Sequence, residues 1–328
     1  MAEFDLIDLI RRRCPIVRDD VHLGIGDDAA LLAVPTGQLL AVSTDTLVAG
    51  VHFAQSAKGY DVGWKALAVN LSDLAAMGAT PAWAMLALTL PSADISWVAE
   101  FTDGFAALAG EFKLALVGGD TTQGPLSITI SVHGFIPEGM ALLRSGARAG
   151  DAVLVTGTLG DAAAALRCLD KHSPEAQRTL DTTSNMREAL IARLNRPAPR
   201  IAQGLALRGQ AHACIDVSDG LVADLRHICT ASGVGAEIDL ELLPASPALF
   251  SLFDAEQRAG FQLAGGDDYE LCFTAAEASV TALLNDLARS GCGAARIGRI
   301  VAEPGVRARD GAGNPVEIAR SGWQHFAA

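Results

Sequence analysis

Apolar positions along this chain follow two alternating rhythms. From about Glu3 to Arg13 they recur at helical spacing, and "DVGWKALAVNLSDLAAMGA" (Asp61 to Ala79) repeats that spacing over a long Ala-rich stretch closed by Gly78 and Pro81. A third helix is predicted from about Ile95 to Phe112. Between these, "QLLAVSTDTLV", "AWAMLALTL" (Ala82–Leu90), "LALVGGD" and "LSITISVHGFIP" read as strands, the last rich in β-branched residues that suit a pleated backbone. The stretch "SGARAGDAVLVTGTLGDAAAAL" begins the pattern afresh, with a turn-rich basic segment, a strand, and a helix from near Asp161. Short strands "HACIDVS", "GAEIDL", "YELCFTA" and "AARIGRIV" then alternate with helical stretches. The fold class is therefore α/β (or α+β), and a boundary near Pro137–Gly150 divides the chain into an N-terminal domain, 1–138, and a C-terminal α/β domain, 139–328. The polar stretch from Lys171 to Ser184 is predicted to be a solvent-exposed connection.

Composition agrees with that division. At 328 residues, the usual ~100–200 residues per domain allow two domains. Half of the residues are hydrophobic and only 19% charged, which supplies well-packed cores. The formal net charge of −13 repels nucleic-acid backbones and anionic membrane surfaces, and the one dense basic run, Arg11-Arg12-Arg13, ends an ordinary amphipathic helix. Neither nucleic acid nor membrane is expected as a partner. Six cysteines without a CxxC pair read as buried free thiols. The acidic "MAEFDLIDLI" start and the lack of any apolar run near the ~20 residues of a membrane span predict a soluble, cytoplasmic protein.

One irregularity repeats. The strand "QLLAVSTDTLV" fills suddenly with oxygen at Ser43, Thr44, Asp45 and Thr46, with His52 a short apolar step beyond. "GIGDDAALL" brings Asp27 and Asp28, "NLSDLAAMG" Asp73, "LVGGDTT" Asp120, "CIDVSDG" Asp216 and Asp219, and "AGGDDYEL" Asp267, Asp268 and Glu270. A single Asp beside Gly is usually a turn or a helix cap, and Asp219 before "GLVADL" or Asp28 in a loop fits that reading. Asp73 fits it least, because mid-helix among Leu71, Leu74, Ala75 and Ala76 an unpartnered carboxylate is costly to bury.

Clustered carboxylates repel one another unless a cation sits among them, and hard cations such as Mg²⁺ take carboxylate and hydroxyl oxygens. No Cys/His spacing suggests zinc and no HExxH occurs. Several Mg²⁺ ions and little covalent machinery point to phosphoryl transfer, in which positioning and charge neutralisation do most of the catalysis. The common phosphate cradles are missing: there is no GxxxxGK[ST], no kinase HRD…N with DFG, no GxSxG elbow, and "GIGDDA" carries two carboxylates where a pyrophosphate would lie. An acidic site would then hold a nucleotide through metals, helped by Arg144 in "LLRSGARAG", the Gly118-Gly119 amides and His52. Arg144 and Arg148 read equally well as solvated linker charges, and His52 as an ordinary histidine at a strand end.

Taken in order, "GIGDDAA", "STDTLVAGVHF", "NLSDLAAMGA", "VGGDTT", "IDVSDGL" and "GGDDYEL" resemble the thiamine-monophosphate kinases, in the superfamily of aminoimidazole-ribonucleotide synthetase, selenophosphate synthetase and the hydrogenase-maturation dehydratase. The resemblance runs from Gly24 to about Trp323. It implies transfer of the γ-phosphoryl group of ATP onto thiamine monophosphate, and a two-domain synthetase-like fold whose N-terminal domains pair in a homodimer through a shared β-barrel. By motif, Asp28, Ser43, Thr44, Asp45, Asp73, Asp120 and Asp216 match Mg²⁺-ligand positions, with Asp219 beside them. Gly119, Asp120, Arg144 and Ser218 match nucleotide contacts, and His52, Asp267 and Trp323 substrate contacts. No protein nucleophile is implied. The family usually reads GEDYE where this chain has Gly266-Asp267-Asp268-Tyr269-Glu270, so Asp267 reaches one methylene less far. Rival readings are a ligase-like enzyme with another acceptor, a non-catalytic metal-binding protein, and a two-metal phosphohydrolase; selenophosphate chemistry would need a reactive cysteine near the N-terminus, and Cys14 in "RRRCPIV" lacks the Gly-rich setting for it.

Overall fold

The computed structural model describes residues 3–170, 184–318 and 322–323. The connection expected at Lys171 to Ser184 lies, except for Ser184, outside the described residues. The chain forms two compact units, Met1–Leu74 with Ala79–Ala141, and Ala75–Gly78 with Leu142–Ala328.

The first unit opens with helix α1 (Glu3–Arg13) and the short pair β1 (Val21–Leu23) and β2 (Leu31–Leu32). Its body is a four-stranded sheet of β3 (Gln38–Val48), β4 (Thr80–Leu90), β5 (Ala115–Gln123) and β6 (Ser127–Pro137), in the order β3-β6-β4-β5. Neighbours are antiparallel except β4 and β5, whose parallel pairing needs a crossover. That crossover is helix α3 (Ile95–Glu111), which starts where Asp94 accepts the N–H groups of Ser96 and Trp97. Helix α2 (Gly59–Ala76) joins β3 to β4, starting two residues before and ending three before the expected limits. It packs tightly on α3, since a Cβ at Gly63 would stand 1.9 Å from the Phe101 carbonyl oxygen and one at Gly104 2.0 Å from that of Tyr60. Ile128, Ile130, Val132, Leu86 and Leu88 are buried on one sheet face, while Leu40, Val42 and Met85 remain exposed on the other. Within the chain this sheet is open at both edges, and no closed barrel occurs among the described residues.

The second unit carries a seven-stranded sheet of β7 (Ala152–Thr156), β8 (Ala213–Val217), β9 (Gly235–Asp239), β10 (Glu270–Ala275), β11 (Ala294–Val301), β12 (Gly305–Arg309) and β13 (Pro315–Val316). The order is β13-β12-β9-β11-β7-β10-β8, and only β12 and β9 run parallel. Its larger core gathers Val153, Val155, Ile215, Val217, Cys272 and Ile297 from the strands against Leu221, Leu225 and Ile228 of helix α7 (Leu221–Ser232). A smaller core joins helices α4 (Asp161–Leu169), α5 (Ser184–Asn195) and α8 (Pro247–Leu252). Helices α6 (Ile201–Leu207), α9 (Ala255–Ala264) and α10 (Val280–Arg289) complete the unit. Among the described residues no helix is long and apolar enough to cross a membrane.

Candidate functional site

The oxygen-rich end of β3 serves two faces, because successive strand side chains alternate. Ser43 points at α2, where its hydroxyl donates to Asp73 Oδ2 at 2.5 Å. That bond gives Asp73 a hydroxyl partner on β3. Asp45, two residues on, shares this face, and its backbone N–H donates to Asn70 Oδ1 at 3.0 Å. Asn70 is fully buried and anchored in turn by donating to the Ala66 carbonyl at 2.9 Å. Thr44 points the other way, sharing a hydrogen bond with Ser131 at 2.8 Å, and Thr46 repeats this with Thr129 at 2.8 Å. Register carries that row onward from Thr46 through Thr129 and Ala87 to Asp120. Asp120 therefore lies on the open face with Thr44, not on the α2 face with Ser43, Asp45 and Asp73. Asp28 is exposed in the turn before β2, its N–H bonded to Asp27 Oδ1 at 2.9 Å.

Gly119 comes against the neighbouring strand at φ 153°, where a Cβ would fall 1.8 Å from the Leu86 carbonyl oxygen. Only glycine fits there. Gly118, Gly119 and Asp120 border a recess of about 260 Å³ with Ile7 and Ile10 of α1, Ile25, Leu86 and Leu116. The half-buried His52 accepts the Val48 N–H on Nδ1 at 2.9 Å, which places the proton of its neutral form on Nε2. Its carbonyl accepts from Lys65 Nζ at 3.3 Å, and Lys65 itself is 3% exposed.

In the second unit buried Asp216 stands next to the last residue of β8, Val217, and the turn after it presents Ser218 and Asp219, both half-buried. Asp219 does not cap α7, whose N-cap is Gly220 without a side-chain bond. Instead Asp224, in the first turn of α7, accepts the N–H groups of Ser218, Asp219 and Gly220 on one oxygen, each at 3.1 Å. Burial, and then the charge of Asp219, push the Asp224 carboxyl up to about 7 against the pull of those amides. The turn's carbonyls bind what lies opposite: Ser218 accepts from the Asp267 N–H at 2.8 Å and Asp219 from the Trp323 N–H at 2.9 Å. Three groups far apart in the sequence, at 218–219, 267 and 323, thus meet at one turn.

The acids of "GGDDYE" separate by burial. Glu270 is fully buried under Arg193, Arg200 and Thr156, and Asp268 is buried with Oδ2 accepting the Gly160 N–H at 2.7 Å. Burial raises the Asp268 carboxyl well above the ordinary range. Asp267 is half-buried, with Oδ1 accepting the Tyr269 hydroxyl at 3.0 Å. Asp267 and Tyr269 both adopt left-handed backbone, φ 68° and 51°, a conformation that costs non-glycine residues energy and clusters at functional sites. Trp323 is 57% exposed. Arg144 is exposed, its carbonyl accepting from Ser232 Oγ at 3.5 Å. Sequence reasoning missed Asn70, Lys65 and Asp224.

Among the described residues no three His, Cys, Asp or Glu side chains form a ready-made metal cage. The donors at Ser43, Thr44, Asp45, Asp73 and Asp120 are nonetheless all hard oxygens, with no sulfur or imidazole among them, and that chemistry fits Mg²⁺ rather than zinc.

Residues 26–136 match the model of the AIR synthase related protein N-terminal domain, and 148–311 that of its C-terminal domain. Thiamine-monophosphate kinase of Escherichia coli strain K12 is 49% identical over 326 residues, 99% of this chain and 98% of that protein. The crystal structure of thiamine-monophosphate kinase from Stenotrophomonas maltophilia K279a superposes with a TM-score of 0.86 at 50% identity, covering 94% of this chain and 96% of that one. AaThiL complexed with AMPPCP and TMP gives a TM-score of 0.76 at 33% identity, over 99% and 97% of the two chains. On these matches, which run through both units and nearly end to end, the chain belongs to the thiamine-monophosphate kinase family of AIR synthase related proteins.

Proposed function

We propose that this protein transfers the γ-phosphoryl group of ATP to thiamine monophosphate, giving thiamine diphosphate and ADP, the last step of thiamine diphosphate biosynthesis. The family membership supports the activity, and a relative's complex with AMPPCP and TMP supports the pair of substrates. The observation that carries the reading in this chain is the 218–219 turn, whose backbone binds the Asp267 and Trp323 segments directly. Nucleotide and acceptor candidates of the second unit share one piece of main chain there.

An oxygen of the acceptor phosphate attacks the γ-phosphorus as the bond to the bridging oxygen of ADP breaks. The acceptor is already anionic, so neither a protein nucleophile nor a general base is required. Asp28, Ser43, Thr44, Asp45, Asp73, Asp120 and Asp216, with Asp219, would hold several Mg²⁺ ions, which would supply neutralisation of the charge on the two phosphate-bearing substrates. Asn70 holds the Asp45 backbone and Ser43 holds Asp73, so two carboxylates are set before any ligand arrives. Gly119, Arg144 and Ser218 contact the nucleotide in this reading. His52 offers Nε2–H to the acceptor, while Asp267 and Trp323 hold its cationic and aromatic parts.

The same reading assigns nucleotide binding, metal binding and dimerisation to 1–138 and completion of the acceptor site to 139–328. The N-terminal sheets of two copies would close a barrel, supported by Leu40, Val42 and Met85 standing exposed on the uncovered face. No disulfide joins the cysteines, all of them among the described residues, which suits the reducing cytoplasm.

The test is formation of thiamine diphosphate from thiamine monophosphate, ATP and Mg²⁺, with free thiamine as a control acceptor. Asp73→Ala and Asp45→Asn should each lower kcat by about 10²-fold or more, the scale of losing one electrostatic contact to the transition state, with the thermal midpoint held. Near-normal turnover in either variant at limiting Mg²⁺, or equal use of free thiamine, would end the assignment.

A further inference from the structure

The turn between β8 and α7 is engaged on both sides. Its amides at Ser218, Asp219 and Gly220 converge on Asp224 Oδ2, three bonds to one oxygen. Its carbonyls at Val217, Ser218 and Asp219 accept the N–H groups of Tyr269, Asp267 and Trp323 at 2.9, 2.8 and 2.9 Å. Asp224 is 3% exposed. A helix-capping carboxylate normally satisfies one or two amides at its own helix start. Here the acceptor reaches beyond the N-cap to the two residues before it, which are the candidates for nucleotide and metal. An apolar side chain of the same shape would take this acceptor from three amides, that of Gly220 buried and those of Ser218 and Asp219 half-buried.

We propose that Asp224 is a positioning residue that locks the 218–220 turn, so that nucleotide-side groups (Ser218, Asp219) and acceptor-side groups (Asp267, Trp323) are set by one rigid piece of backbone. The inference rests on the kinase reading for the identity of the two ligands. Its consequence is coupling: a disturbance on either side of the turn is felt by the ligand on the other. A carboxylate taking three amides is a stiff, charge-assisted anchor, and the acceptor segments are tied to the same turn through its carbonyls.

Three substitutions test it by calorimetry with a non-hydrolysable ATP analogue and with thiamine monophosphate, alongside steady-state kinetics and thermal melts. Asp224→Asn keeps the shape and one acceptor oxygen but loses the charge. It should weaken both ligands by about tenfold or more, the loss of one charge-assisted hydrogen bond, and lower kcat. Asp224→Glu, which restores the charge, should recover part of the loss. Gly266→Ala pushes on the turn from the acceptor segment, because its Cβ would fall 2.5 Å from the Ser218 carbonyl oxygen; it should weaken the ATP analogue as well as the acceptor. A purely structural carboxylate would move the melting temperature and leave the binding constants of the folded variants alone, and that result overturns the proposal. If Asp224→Asn fails to fold, Gly266→Ala decides: an unchanged affinity for the ATP analogue refutes the coupling. Should the wild-type protein bind the analogue yet phosphorylate no acceptor, the kinase reading falls, and the contrast in analogue binding between wild type and Gly266→Ala still decides the role of the turn.

Discussion

Replacing Glu270 separates a structural carboxylate from a substrate contact. Its Oε1 accepts from Arg193 Nη2 at 2.8 Å and Arg200 Nη2 at 2.5 Å, and its Oε2 from Arg200 Nε at 2.6 Å and Thr156 Oγ1 at 2.7 Å. Burial works against the Arg200 charge, and the hydrogen bonds and charge of Glu270 more than offset it. With the carboxylate fully buried, Glu270→Gln turns one acceptor into a donor facing a guanidinium and leaves two cations with one shared oxygen. Breaking a buried pair in this way costs about 3–5 kcal/mol. At ~2–4 °C per kcal/mol for a unit of this size, the melting temperature should fall by about 6–20 °C. Asp267→Asn, at the half-buried position pinned by Tyr269, should barely move the melt and should raise the KM for thiamine monophosphate. Differential scanning fluorimetry and kinetics at low temperature, where both variants are folded, read the two effects apart. If Glu270→Gln melts within 1–2 °C of the wild type and raises that KM, burial has misidentified which acid meets the substrate, and the assignment of Asp267 goes with it.

Two further outcomes follow from groups away from the site. Asp20 is held below the ordinary carboxylate range, first by the Arg18 side-chain bond and, against the cost of burial, also by Trp83 Nε1 at 3.0 Å. A folded-state value below the unfolded one means that the ionised carboxylate stabilises the protein above pH ~4, and that this is lost as pH falls through the folded value. The stability gap between wild type and Asp20→Asn in urea should therefore be largest at neutral pH and shrink below pH 4; a constant gap would refute the linkage. The Cys14 thiol is pushed up to about 12, by burial first and the charge of Asp103 second. Peptide mapping after iodoacetamide at pH 8 should find it roughly 10³-fold slower to alkylate than a free thiol. Rapid labelling in the folded protein would reopen selenophosphate-type chemistry.

Elements built on a clean period were legible from the chain. The long Ala-rich helix, strands β3 to β6 of the first unit and β7 to β11 of the second follow their hydrophobic spacing to within a few residues at the ends. The misfit of Asp73 was legible too, as a carboxylate inside an apolar helix, but its partner was not. Ser43 lies thirty residues away on another element, and only the packing of α2 on β3 makes the two neighbours. Asn70 had a readable signal, a polar side chain three positions before Asp73 on the same helical face, yet in an Ala-rich helix it passes for a solvated residue. Lys65 hid similarly behind its charge. Asp224 could not be read at all: "GLVADL" is ordinary amphipathic helix, and its three amide partners are set by how the turn before it folds. Nor could burial sort the acids of "GGDDYE", since Arg193 and Arg200 come from another part of the chain.

The alternation in β3 also bears on the proposed pairing of two N-terminal sheets. Strand period sends Ser43 and Asp45 inward and Thr44 and Thr46 outward, so the polar run serves both faces and cannot be a simple turn. A hydroxyl row on an exposed face would ordinarily oppose burial by a second copy, because each unpartnered hydroxyl carries a desolvation cost. In this sheet the cost is already met: Thr44 pairs with Ser131 and Thr46 with Thr129 across the β3–β6 ladder. What the face then offers a partner is Leu40, Val42 and Met85, 42%, 57% and 43% exposed, whose apolar area contributes about 25 cal/mol per Å² when covered. Asp120 ends the same row. A dimer closed over this face would therefore bury Leu40, Val42 and Met85, while Asp120, at the edge strand β5 of the same face, would stay where an anionic ligand held through cations can reach it. The hydroxyl pairs are what make those two requirements compatible on one sheet.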